Sequence, residues 1–394
     1  MPPRHRPVLA LLAVLLTAPL VVAAPTRALA QDEGQPDEPF GQPWGLTYFP
    51  YLASGANEFP LLAFRVQYRQ LADYDSPLPF SANLAADAGL GFKGSRFLAF
   101  RFRAPGIAEG WRFSAVLGAN RQARLGFYGL GNDTEHDEDL ETEAQPFLYR
   151  VERTRYLAQA EVTRRLVRRV SVAVAGGIEE SRFDLLPGPS LFRAATGGRE
   201  PEVTDVTGRV SLIFDTRDNE YNTTRGVFLD AGVQVGSGGG NYTRLYAAGR
   251  VYLPVREGTI VAARIVAAGM GGSPPLNARF EVPTWENNVL VLGGEESHRG
   301  FDAGRLIGKH VLFGNLEVRH DILNLGDFGA FTALAFLDAG RVFEGEPFRL
   351  TTDDLQVGGG GGFAIRILRS TIYPFNFGVG PDGFEFSVGG GWMF

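Results

Sequence analysis

Residues 383–394 read Gly383-Phe384-Glu385-Phe386-Ser387-Val388-Gly389-Gly390-Gly391-Trp392-Met393-Phe394. Phe384, Phe386, Val388, Trp392 and Phe394 fall on one side, and Glu385, Ser387 and two glycines on the other. A period of two places successive side chains on opposite faces of a strand, here one aromatic and apolar and one polar or small. Upstream the same alternation recurs. Leu62, Phe64, Val66 and Tyr68 oppose Arg65, Gln67 and Arg69; Leu98, Phe100 and Phe102 oppose Arg101 and Arg103. Tyr156, Ala158, Ala160 and Val162 oppose Arg153, Arg155, Gln159, Glu161 and Thr163, and Leu245, Ala247, Val251 and Leu253 oppose Arg244, Tyr246, Arg250 and Tyr252. Segments of about ten alternating residues are the mark of strands that face lipid on one side and a lumen on the other. A soluble antiparallel sandwich also alternates, but the mid-strand arginines and the aromatic strand ends favour a barrel.

Composition points the same way. The chain has 394 residues, 44% hydrophobic and 21% charged, with 51 Gly, 30 Phe and no Cys. That length suits one large barrel, and the absence of Cys excludes a disulfide scaffold, thiol catalysis and cysteine-held metals. A net charge of −6 argues against a nucleic-acid partner. Residues 1–30 read as a signal peptide: Arg4, His5 and Arg6 precede an apolar run from Val8 to Val22, and Ala28-Leu29-Ala30 supplies a small-residue cleavage site. Residues 31–44 are polar and Pro-rich, a flexible periplasmic lead-in. No later stretch is long and apolar enough for a membrane helix, so a chain that enters a membrane does so as a barrel over 45–394.

The pattern predicts an all-β fold, a 16-stranded antiparallel transmembrane barrel. Its strands are expected at 45–53, 60–70, 80–92, 95–104, 110–128, 146–165, 169–183, 203–217, 226–238, 241–255, 259–272, 310–321, 329–343, 355–368, 371–379 and 383–394. The long links 129–145, 184–202, 273–309 and 344–354 then all fall at one end, as extracellular loops do, and most links at the other end are short.

Three stretches say more: Gly293-Gly294-Glu295-Glu296-Ser297-His298-Arg299-Gly300-Phe301 in the longest link, Phe336-Leu337-Asp338-Ala339-Gly340 in a strand, and the aromatic end at Trp392 and Phe394. A lumen of sixteen strands is wide enough for water, so a long loop folded into it must be held by something stronger than apolar contact. An Arg supplies a planar fork of donors for a carboxylate. Glu317 and Asp338 lie on the inferred lumen sides of neighbouring strands, which puts both within reach of Arg299, and Gly300 permits a sharp turn after it. Such a lock serves architecture as readily as function.

On these motifs the chain resembles the BamA/TamA-like superfamily of outer-membrane assembly barrels, also called the bacterial surface antigen family. Gly-Gly-x-x-Ser-x-Arg-Gly-Phe is similar to that family's loop-six hallmark and Phe-x-Asp-x-Gly to its strand-thirteen hallmark. Asp215-Thr216-Arg217-Asp218-Asn219 with Arg225-Gly226 resembles the turn after strand eight, and Asn315-Leu316-Glu317-Val318-Arg319 resembles strand twelve. The likeness spans about 44–394. It implies a lock of Arg299, Gly300 and Phe301 against Glu317, Asp338 and Gly340. His298 departs from the Val usual there. Trp392 and Phe394 resemble the sorting signal read by the outer-membrane assembly machinery, although a plain lipid-facing strand end looks the same. Pro50 in the first strand and Gly389, Gly390 and Gly391 in the last predict a weak seam, which the resemblance implies opens towards lipid; Gly358 to Gly362 loosen strand fourteen, or serve bending.

Other motifs fail. The glycine runs 236–240 and 358–362 lack the Lys-Ser/Thr of a phosphate loop, there is no Gly-x-Ser-x-Gly elbow, and the five His show no metal spacing. The acidic loop from Asp133 to Glu143 reads as solvated. No enzymatic activity, cofactor or metal is expected. The resemblance implies insertion or translocation of proteins or lipids at the bacterial outer membrane. Residues 31–44 are too few for a POTRA domain, so the expected partners are membrane lipid, separate periplasmic docking proteins and unfolded barrel substrates. The alternatives are a passive porin-like pore, its wall made anion-attracting by Arg65, Arg101, Arg153, Arg155 and Arg250, and a structural or anchoring barrel.

Overall fold

The computed structural model describes residues 43–394 apart from 56, 74–75, 286 and 369–370. The expected signal peptide at 1–30 and all of the expected lead-in before residue 43 lie outside the described residues. The barrel strands are β1 (Trp44–Gly55), β2 (Glu58–Leu71), β3 (Phe80–Gly91), β4 (Arg96–Ala108), β5 (Trp111–Gly126), β6 (Arg150–Val167), β7 (Val170–Asp184), β8 (Glu202–Asp215), β9 (Gly226–Gly238), β10 (Tyr242–Arg256) and β11 (Thr259–Gly272). A small hairpin of β12 (Glu281–Thr284) and β13 (Asn287–Leu290) follows inside the longest link. The wall resumes with β14 (His310–Asn324), β15 (Gly329–Phe343), β16 (Gln356–Ile367), β17 (Thr371–Gly380) and β18 (Gly383–Val388).

Sixteen strands thus form one antiparallel sheet in chain order, with β11 pairing directly to β14. Alternation decides which face is which. On β2, Leu62, Phe64, Val66 and Tyr68 are exposed while Leu61, Ala63 and Gln67 are buried. On β10, Leu245 and Leu253 are exposed while Tyr242, Arg244, Tyr246 and Tyr252 are buried. Apolar side chains turned outwards and arginines turned inwards fit a wall solvated by lipid. The backbone groups pair strand to strand, as a membrane requires.

The expected strands stand within a few residues of the observed ones, with one clear exception. The last strand does not run to Phe394 but stops at Val388. Beyond it, Gly389 donates to the Pro374 carbonyl at 3.0 Å and Gly391 to that of Ile372 at 2.8 Å, and Gly391 holds φ +113°, a conformation that glycine alone adopts freely. Residues 389–391 thus stay bonded along β17, and from Gly391 the chain turns inwards. Among the described residues no hydrogen-bonded register joins β18 to β1; Phe386 of β18 comes near the other end of the sheet at Phe59 of β2, the two rings lying 6.1 Å apart.

Two features of the long links went unanticipated. One is the short helix α1 (Leu191–Thr196), capped by Ser190, whose hydroxyl accepts from the Arg193 N–H. It buries Phe192 against Leu125, Phe127, Phe183, Phe280 and Ile307. The other is the β12–β13 hairpin.

Candidate functional site

The strand period sets the site. On β14, Asn315, Glu317 and Arg319 share the inner face, while Leu316 and Val318 are exposed. On β15, Phe336, Asp338 and Gly340 share it, with Leu337 exposed. The register places Asn315 opposite Asp338 and Glu317 opposite Phe336, so two carboxylates lie diagonally on one patch of wall. The chain between β11 and β14 returns against this patch. Arg299 donates from Nε to Asp338 Oδ2 and from an η nitrogen to Oδ1, both at 2.9 Å, and from its other η nitrogen to Glu317. Its backbone N–H also reaches Asp338, at 2.9 Å. The Arg299 guanidinium rests 3.5 Å from the centroid of Phe336. All three charged side chains are at most 2% exposed, so the pairing is dry and little screened. Asp338 receives a further bond from Asn315 at 2.8 Å, and Asn315 reaches the Ser297 carbonyl at 2.8 Å.

The neighbouring glycines explain how the loop tip fits. Arg299 and Gly300 stand at the centre of a tight turn closed by the Phe301 N–H donating to the His298 carbonyl at 3.2 Å; Gly300 has no left-handed φ there, and what its lack of a side chain supplies is room. A Cβ there would lie 2.9 Å from the backbone of Gly380. A Cβ on Gly378 would lie 2.1 Å from the Arg299 carbonyl oxygen, and one on Gly358 would lie 2.6 Å from the His298 ring. The inward glycines of β16 and β17 thus form a groove for the tip, beyond any loosening of the strand. Gly340 is required in the same sense: a Cβ would meet Leu292 at 2.5 Å and Phe313 at 2.6 Å. His298, fully buried, stacks on Phe301 with centroids 4.3 Å apart and has Nε2 3.3 Å from the Gln356 carbonyl. Burial pushes its pKa below the ordinary imidazole value.

Charge is not the whole anchor. Val282, Val291, Leu292, Phe301 and Leu306 of the loop bury a continuous apolar core against Tyr246, Val266, Val311, Phe313 and Val342 of the wall. The expectation that apolar contact could not hold the loop is corrected: the side of the lumen that this core fills excludes water once the core forms. On the opposite wall, Arg155 grips Glu281 of the hairpin with bonds of 2.7 and 2.9 Å. Arg209 donates to the Thr284 carbonyl at 2.8 Å, and Asp230 accepts the Trp285 N–H at 2.7 Å.

The five arginines read as a lumen lining all face inwards, but they are not a bare positive wall. Arg65 and Arg101 both pair with buried Asp87. Arg153 and Arg155 pair with Glu179, and Arg250 lies 5.2 Å over the Phe228 ring. Sequence reading missed Asp87 and Glu179, which sit on β3 and β7 within otherwise small or polar stretches. It also missed Arg305, which binds Asp382 of the β17–β18 turn and Thr134 of the β5–β6 link.

Trp392 and Phe394, expected on a lipid-facing strand, lie within. Trp392 Nε1 donates to Asn222 at 2.9 Å, and the Arg319 guanidinium stacks 4.1 Å over its ring. Phe394 packs with Tyr252 and Ala262. Arg319 also pairs with Glu317 at 2.6 Å and donates to the Phe394 carbonyl at 3.2 Å, so the lock continues into the inward-turned segment. Pro50 sits on β1, at one end of the sheet, while Gly389, Gly390 and Gly391 fall after β18 rather than in it. The turn at 215–226 is self-bonded: Arg217 grips Asp215 at 2.8 Å, and Asp218 accepts the backbone N–H groups of Thr224 and Arg225. Gly226 there has φ +119°, with no room for a Cβ.

Between the loop and the wall from β1 to β6 a cavity of about 740 Å³ remains. Tyr51 of β1, Arg101 of β4, Gln159 of β6, Glu296 and Arg299 of the loop, and Glu385 to Ser387 of β18 line it, so it reaches both ends of the sheet.

A sixteen-stranded lipid-facing wall whose interior holds an arginine-locked loop defines a class of outer-membrane barrel. The model of the Omp85 superfamily domain matches residues 81–392, and the chain belongs to that superfamily. Barrels of this superfamily are outer-membrane proteins. Among solved structures the chain is similar to BamA from Haemophilus ducreyi lacking POTRA domains 1–3, at 12% identity and a TM-score of 0.54, covering 88% of this chain and 69% of that one. It is also similar to CdiB from Escherichia coli, at 13% identity and a TM-score of 0.56, covering 90% of this chain and 62% of that one. At such identities the likeness is one of fold. No curated protein sequence matches the chain.

Proposed function

We propose that the protein inserts or translocates polypeptides, or lipids, at the outer membrane, together with separate periplasmic docking proteins and without covalent chemistry. The observation that carries this reading is the cavity behind the sheet ends. The loop fills one side of the lumen and leaves the other side, bordered by β1 and β18, vacant of side chains and lined by polar and apolar groups together. A polar strand passing along such a surface avoids the several-kcal/mol penalty that each unmet backbone group meets in lipid. The inferred route runs out through the β1–β18 seam. Arg299, Glu317 and Asp338 act as positioning residues that hold the loop to the far wall and keep this side clear. On this reading the leader exports the chain, and Trp392 and Phe394 serve in its own assembly.

The passive anion pore is less favoured, because Asp87 offsets Arg65 and Arg101. The test is reconstitution into liposomes with a denatured outer-membrane barrel as substrate, scoring heat-modifiable mobility. Faster folding than in empty liposomes supports the proposal. A cysteine pair introduced across β1 and β18, clean in a chain without native Cys, should abolish the gain when oxidised; full activity of the oxidised form would sink the seam route.

A further inference from the structure

At the rim carrying the N-terminal end of β1, the end of β6 and its turn into β7 read Arg164-Arg165-Leu166-Val167-Arg168-Arg169, four arginines in six residues, all exposed. Almost nothing answers that charge. Arg165 approaches the Glu109 carboxylate only to 3.7 Å, and Glu109 is 97% exposed, so solvent screens the pair. Arg164 donates to the Glu109 carbonyl at 3.2 Å. Among the described residues no carboxylate pairs with Arg168 or Arg169.

The height of this cluster on the barrel identifies its occupant. Trp111 stands opposite Arg164 in the β5–β6 register, exposed on the outer face, with the guanidinium 4.8 Å over its ring and Phe113 stacked beside it. Exposed aromatics at a strand end mark the boundary between acyl chains and headgroups. Leu166 and Val167, exposed between the two arginine pairs, lie one step further towards the rim than Trp111, and Arg165, Arg168 and Arg169 with them, at headgroup height. The arginine forks are therefore held where lipid phosphates lie, and a guanidinium matches two phosphate oxygens at once. A soluble acidic partner would account for the charge but not for the exposed tryptophan that sets the arginines at the membrane boundary.

We propose that the adjoining β4–β5 and β6–β7 turns form a binding site for the phosphates of anionic phospholipid headgroups in the leaflet at this rim. The site is independent of what the barrel transports. The test uses the purified full chain in neutral detergent, mixed with phosphatidylglycerol or phosphatidylcholine at equal concentration and read by native mass spectrometry. The expected result is preferential retention of phosphatidylglycerol, reduced about tenfold or more by Arg168→Gln with Arg169→Gln while heat-modifiable mobility is kept. Equal retention of the two lipids by the unsubstituted chain would overturn the proposal without need of any variant, as would undiminished phosphatidylglycerol retention in a folded double variant. Binding of polyglutamate to the protein in phosphatidylcholine nanodiscs, with no preference for phosphatidylglycerol over phosphatidylcholine, would overturn it in favour of an acidic protein partner.

Discussion

Arg299 grips Asp338 with three donors, two from its guanidinium and one from its own backbone, each at 2.9 Å. The backbone donor matters, because it fixes where the chain passes as well as where the side chain points. Removing one member of such a buried pair strands the other. Arg299→Ala is expected to cost about 3–5 kcal/mol, seen as a lower temperature of the heat-modifiable transition. Arg299→Ala with Asp338→Ala should cost much less than the two single changes summed, because neither charge is then left unpaired; strict additivity would refute the coupling.

The glycine groove makes a steric prediction. Gly378→Ala places a methyl 2.1 Å from the Arg299 carbonyl oxygen and should destabilise by about 1–3 kcal/mol, as overpacking does. Gly118→Ala, with nothing within 4 Å of the new atom, should leave the transition where it is.

His298 should make the barrel acid-sensitive. Burial lowers its pKa in the folded chain, so below about pH 6.5 the unfolded chain binds the proton more readily than the fold does. The stability gained by keeping the ring neutral is present above that pH and is lost as pH falls towards the lowered value. Asp338 and Arg299, which face the ring, act in opposite senses. The transition temperature should drop on acidification, and His298→Val should flatten the slope between about pH 7 and 5; an unchanged slope would assign the acid response elsewhere.

Asp87 is the neutralising group of the open side of the lumen. With its carboxylate replaced, in Asp87→Asn, Arg65 and Arg101 keep their charge and lose their partner. Any conductance in planar bilayers should then shift its reversal potential towards anion selectivity.

What the sequence disclosed follows from periodicity. Asn315, Glu317 and Arg319 share a parity, as do Phe336, Asp338 and Gly340, so the wall half of the lock could be read before any coordinates. The family resemblance supplied its partner in Arg299. The apolar contribution of Val282, Val291, Leu292 and Leu306 was hidden, because Val282 sits in a four-residue strand and the other three in irregular chain, too short or aperiodic for a pattern to reveal them. Pairing of Asp87 with two arginines depends on the register of three strands, which no local pattern encodes. The end of the chain misled for a different reason: Trp392 and Phe394 keep strand parity with Phe386, and alternation alone does not distinguish an aromatic ring meant for lipid from one meant for the interior once Gly391 allows the backbone to bend.

The asymmetric seating of the loop has a mechanical consequence. From β6 round to β15 the wall is braced from within, by Arg155 and Arg209 on one flank and by the apolar core and Asp338 on the other. The arc from β1 to β5 borders open space over most of its inner face, and the loop meets it only near Asn57 and Leu125. Such a ring has a stiff sector and a compliant one, so any strain placed on it is absorbed mainly by the first five strands.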